Sequence, residues 1–117
     1  MTHKPCVYLR VCVTCRAQNL PADLDVIAQA LGAADLPVEI VEQACMNACS
    51  APVSMALQAQ GRATCFFTGV DLVSDCDDIV ATVREYLAAP EGWITDARPC
   101  GRLRFCLAGR VPVLPGA

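Results

Sequence analysis

The order of apolar and polar positions divides most of the chain into six elements. Residues 7–13, Val-Tyr-Leu-Arg-Val-Cys-Val, are rich in β-branched and aromatic side chains and predict a first strand. Asn19-Leu20-Pro21 breaks the chain. Residues 22–31 then place Leu24, Ile27, Ala28 and Leu31 at helical spacing, with Asp23 and Asp25 in the first turn and Gly32 at the end. Val38-Glu39-Ile40-Val41-Glu42 alternates as a half-buried strand does. Residues 53–58 and 62–67 predict two more strands, joined as a hairpin through Gln60-Gly61. Ser74 reads as an N-cap, with Asp77 three residues on approximating a capping box. Ile79, Val80, Val83 and Leu87 form the buried stripe of that helix, and Pro90 and Gly92 close it. The expected order is βαβ, with a right-handed parallel crossover, then ββα, around a mixed four-stranded sheet.

Beyond Trp93 the pattern dissolves into Arg, Pro and Gly without a period, so residues 94–117 read as an irregular C-terminal tail packed on a domain of residues 1–93. At 117 residues the chain is one domain. An apolar share of 55% with 18% charged residues is a globular composition. No apolar run approaches the roughly 18 residues that cross a bilayer, and the N-terminus lacks the apolar core of a secretion signal. The net charge of −3 argues against nucleic-acid binding. It is unevenly placed: Arg98, Arg102, Arg104 and Arg110 face Asp96 alone, a balance of +3 that leaves −6 on the preceding body.

Cysteine usage carries the chemistry. Nine thiols cannot all pair, and a thiol-rich chain without a secretion signal is expected in a reducing cytosol, where metal or redox roles outweigh disulfides. Cys12 and Cys15 lie at the end of the first predicted strand, and Cys45 and Cys49 just after the second. Parallel neighbouring strands lie about 4.8 Å apart and end at one sheet edge, so the two loops should converge and offer four thiolates to one inorganic centre. Such a set suits zinc or iron–sulfur, and two separated pairs match the two irons of a [2Fe–2S] cluster. The sole histidine is His3, no Ser/His/Asp set exists and no Gly-rich phosphate loop is present, so catalysis by the chain itself is not expected.

The βαβ–ββα order matches the thioredoxin fold. Cys45-Met46-Asn47-Ala48-Cys49, followed by Pro52, an apolar strand and Gly61 in a hairpin turn, resembles the thioredoxin-like [2Fe–2S] ferredoxins and the cluster subunit of bacterial complex I. Their first pair is spaced by four or more residues, whereas Cys12 and Cys15 are separated by two. A second likeness spans nearly the whole chain. Val11-Cys12-Val13-Thr14-Cys15-Arg16, residues 53–59 with Gly61, Glu85-Tyr86-Leu87, Gly92, Arg98-Pro99, Leu103-Arg104 and Arg110-Val111-Pro112 look like the DUF1636 type of predicted metal-binding protein. The ferredoxin resemblance implies an electron carrier, with Cys12 and Cys15 on one iron and Cys45 and Cys49 on the other. It also implies redox partner proteins and a homodimer. Backbone N–H groups of residues 46–51 would donate to the sulfurs. The acidic body would lower the potential, and Arg16 would raise it.

Two other readings use the same residues. Zinc on the four thiols would be structural. A Cys12-Val13-Thr14-Cys15 dithiol would be an oxidoreductase, but the break at Asn19-Leu20-Pro21 leaves no helix N-terminus beside it, and Cys45 and Cys49 stay unexplained. Cys6 sits roughly 20 Å along the strand from Cys12 and cannot share its metal. Cys65 and Cys76 read as packing residues. Cys100 and Cys106 read as unrelated thiols, a disulfide or a partner-responsive pair. Trp93 is expected in the core, holding the tail. The tail arginines read as solvated charges or as a dock for an acidic redox partner or a second subunit.

Overall fold

The structure is a computed structural model, and it describes residues 7–12, 20–43 and 53–113. In chain order the elements are β1 (Val7–Cys12), α1 (Leu20–Ala33), β2 (Val38–Gln43), β3 (Met55–Gln58), β4 (Thr64–Phe67), α2 (Cys76–Ala88), two single 3₁₀ turns, α3 (Leu103–Cys106) and β5 (Leu107–Val111). The six elements read from the pattern are all present. The sheet, however, has five strands rather than four, in the order β2-β1-β3-β4-β5. What reads as an irregular tail contains α3 and an edge strand, β5, paired antiparallel with β4. The backbone ladder, with Arg110 donating to the Ile94 carbonyl, recruits that segment, since β5 presents only Leu107 and Val111 as large apolar residues and both are exposed.

β1 and β2 are parallel, with Val7 opposite Val38 and Cys12 opposite Gln43. β3 runs antiparallel to β1, and β4 to β3. One transverse row therefore runs Glu42–Val11–Met55–Phe67–Leu107 across the sheet. Alternation along β1 buries Val7, Leu9 and Val11 on one face. These residues join Met55, Leu57, Cys65 and Phe67 of the neighbouring strands in one core. Ile27 and Leu31 of α1, Ile79, Val83 and Tyr86 of α2, and Leu103 of α3 cover it. The other face of β1 carries half-exposed Tyr8, and Arg10, whose Nε donates to Gln58 Oε1 at 2.6 Å.

Two helix ends differ from the pattern. α1 continues past Gly32 to Ala33, and Asp35, not glycine, takes the positive φ of 57° after it. At the start of α2 the cap position belongs to Asp75 rather than Ser74, and no side-chain capping bond forms. The Asp75 carboxylate is turned instead to the Asp71 N–H and to Arg102. A buried charge finds a stronger partner in a guanidinium than in a helix N–H. Gly61 supplies the φ of 74° in the β3–β4 turn.

Candidate metal centre

Cys12 is the last residue of β1 and has no exposed surface. Its N–H donates to the Ser54 carbonyl at 2.9 Å, continuing the β1–β3 ladder by one step. Ser54 is buried as well. The parallel register sets Gln43, the last residue of β2, directly beside Cys12. Three chain ends thus meet at one sheet edge: the exit of β1, the exit of β2 and the entry to β3. Cys15, Cys45 and Cys49 lie outside the described residues. In sequence, Cys15 is three residues beyond Cys12, Cys45 two beyond Gln43, and Cys49 four before Val53. The donor set, sulfur throughout, fits an iron–sulfur cluster and fits zinc.

The remaining described thiols lie on other elements. Cys65 is buried in β4, and Cys76 is half-buried against the core, as the packing reading expects. Cys100 is buried beneath the tail and Cys106 at the end of α3. Both are free thiols here, so no Cys100–Cys106 disulfide forms. Cys65 and Cys100 line a cavity of about 50 Å³ walled by Phe67, Ile94, Leu103 and Leu107. Burial pushes the thiols of Cys65, Cys76, Cys100 and Cys106 upward, which keeps them protonated and inert. Among the described residues, no group of three or more His, Cys, Asp or Glu could hold a metal.

The tail arginines divide into different roles. Arg102 is no solvated charge: its Nε donates to Asp75 Oδ1 at 2.8 Å and its NH2 to the Gly69 carbonyl at 2.7 Å. Arg98 pairs with Asp96 in the open. Arg110 lies over the ring of Trp93, 3.8 Å from its centroid. Trp93 is 36% exposed, so it lies at the surface under an arginine rather than in the core. A lone tryptophan in an Arg/Pro-rich stretch carries no pattern that separates these two placements.

Fold and edge together define a small α/β protein whose mixed sheet ends β1, with buried Cys12, beside the end of β2. The chain belongs to the family described as "Protein of unknown function (DUF1636)", whose model matches residues 9–113. That span includes Cys12, Cys15, Cys45 and Cys49 as well as β5. No curated protein and no solved structure matches the chain. Among the described residues, no helix is long and apolar enough to cross a membrane.

Proposed function

We propose that this protein is a cytosolic one-electron carrier holding a [2Fe–2S] cluster, with Cys12 and Cys15 on one iron and Cys45 and Cys49 on the other. The observation that carries the reading is the parallel pairing that ends β1 at Cys12 beside the end of β2 at Gln43. Support for a thioredoxin-like arrangement comes from the order β2-β1-β3-β4, in which the β1–β2 pairing alone is parallel among the described strands, with β5 as an addition at the β4 edge. A bound cluster would supply one-electron exchange at iron. The chain's own part is to hold it, to shield the Cys12 sulfur from water by burial, and to set the surrounding charge. A dithiol oxidoreductase needs an accessible thiol near a helix N-terminus. Here Cys12 is buried within a strand, and α1 begins only at Leu20.

Anaerobically purified protein is expected to be red-brown, to bleach with dithionite, and to contain iron and acid-labile sulfide in equal amounts. Cys49→Ser should abolish or distort the visible spectrum, and Cys76→Ser should leave it unchanged. A colourless protein with one zinc per chain would sink the electron-carrier reading in favour of a structural zinc site on the same thiols.

A further inference from the structure

The surface of the tail holds a group of side chains that the cluster reading leaves unused. Phe105, on α3, is 74% exposed, the most exposed large hydrophobic residue among those described. The Arg104 guanidinium stacks on its ring, 4.6 Å from the centroid. Leu107, two residues further on, is 38% exposed. Phe, Trp and Arg are residue types that anchor protein interfaces, because they bury much area and carry directional charge. The charges here are not equivalent. Arg102 is committed to Asp75, and Arg98 to Asp96. Among the described residues, Arg104 has no carboxylate within ion-pair distance; Asp96, held by Arg98, is near enough only to feel its charge. Arg104 is a cation held over an apolar ring on a chain whose remainder is acidic.

The position of the group matters as much as its composition. Leu107 lies in the same transverse row as Val11, three strand spacings away. That is about 14 Å from the end of β1. β4 runs parallel to β1, and the Thr68 N–H that follows it donates to the Cys106 carbonyl at 2.9 Å. α3 therefore stands at the end of the sheet where Cys12 stands, not at the opposite end. A protein seated there would come close to a centre above the β1–β2 edge.

We propose that Arg104, Phe105 and Leu107 form the docking surface for an acidic redox protein, with Phe105 as the apolar anchor and Arg104 as the charge that selects the partner. The proposal rests on the electron-carrier reading for its purpose, but its recognition chemistry stands on this surface alone. Charge complementarity favours an acidic occupant, because a basic or neutral partner would leave the Arg104 guanidinium uncompensated on contact. A nucleic acid offers negative charge too, but with Arg98 and Arg102 paired the surface lacks the cluster of free cations that a phosphate backbone requires.

A flavodoxin, an acidic flavin carrier, serves as the probe. Its flavin-free form, titrated calorimetrically into the full-length protein, tests docking without electron transfer. Binding is expected at low salt, at least tenfold weaker at high salt, and at least tenfold weaker in Arg104→Glu and in Phe105→Ala. Both side chains are at the surface, so neither variant should disturb folding. Arg84→Glu, the same charge change on the exposed side of α2, should bind as wild type. Absence of binding, salt-independent binding, wild-type affinity in either tail variant, or an equal loss in Arg84→Glu would each overturn the proposal. So would single-stranded oligo-dT binding with the same dependence on Arg104. Flavodoxin hydroquinone as electron donor then reads the reduction rate by bleaching of the visible spectrum. A sample without that spectrum indicts the cluster reading, while the calorimetry still judges the surface.

Discussion

Tyr86 has no exposed surface, yet its hydroxyl donates to the carbonyl of Ala63. Arg62, one residue earlier, returns a bond from its NH1 to the Tyr86 carbonyl at 3.1 Å. Burial, reinforced by Cys65 nearby, pushes the phenol up to about 12 from an ordinary 10.0. A raised acid constant means that the folded state favours the neutral phenol. This contribution is complete below pH 10 and is lost as pH rises through 12. Alkaline titration should therefore show Tyr86 ionising late, together with unfolding. Tyr86→Phe should lower stability at neutral pH by about 1–2 kcal/mol, because the buried Ala63 carbonyl loses its donor. Thermal melts at pH 7 and pH 11 check both statements. The stripe read from the α2 pattern does not include this residue. Of the expected stripe Ile79, Val80, Val83 and Leu87, the first three are buried, Thr82 and Tyr86 join them, and Leu87 is only partly buried.

At the scale of elements, the tail is tied to the start of α2 by Arg102. The Asp75 side chain is 4% exposed and that of Arg102 is 50% exposed. The Arg102 N–H also donates to Asp78 at 3.0 Å. Gly101 makes this approach possible: its φ of 61° suits glycine, and a Cβ there would collide with the Asp78 carboxylate. The hydrogen bond from Arg102 is the main reason that the Asp75 carboxyl lies below its ordinary value of 3.8. A depressed carboxylate stabilises the fold above its unfolded value and ceases to do so as pH falls through the folded one. Arg102→Ala should cost about 1–3 kcal/mol near neutrality, the lower part reflecting the half-exposed guanidinium. The difference from wild type should shrink below pH 3.8. Urea midpoints at pH 7 and pH 3 measure it. Nothing in the order of residues announced this pair, because Arg102 and Asp75 are far apart in sequence and each sits beside more obvious partners.

Across the whole molecule, the ends of β1 and β2 and the Arg104–Phe105 surface lie at one end of the sheet. On the proposed reading the metal centre cross-links the chain leaving β1 to the chain joining β2 and β3, so it should contribute to stability as well as to redox chemistry. Removing it with a chelator and ferricyanide, then restoring thiols with a reductant, should lower the melting temperature by several degrees, and Cys49→Ser should show the same loss without treatment. Differential scanning calorimetry of loaded and stripped protein makes the comparison. Identical melting temperatures would show that no such cross-link exists.

By itself the sequence determined the βαβ–ββα order, the parallel start, the hairpin at Gly61 and the apolar faces of β1, β3 and β4. These follow from local periodicity, and a strand or helix that buries one face declares it in its spacing. It also singled out the four thiols by their distances along the chain. Tertiary structure alone decided that residues 107–111 become a fifth strand, that Arg102 is an internal partner while Arg104 is not, and that Trp93 lies at the surface. Those outcomes depend on backbone ladders and charge pairs between segments far apart in the chain, whose energies appear only when the segments meet.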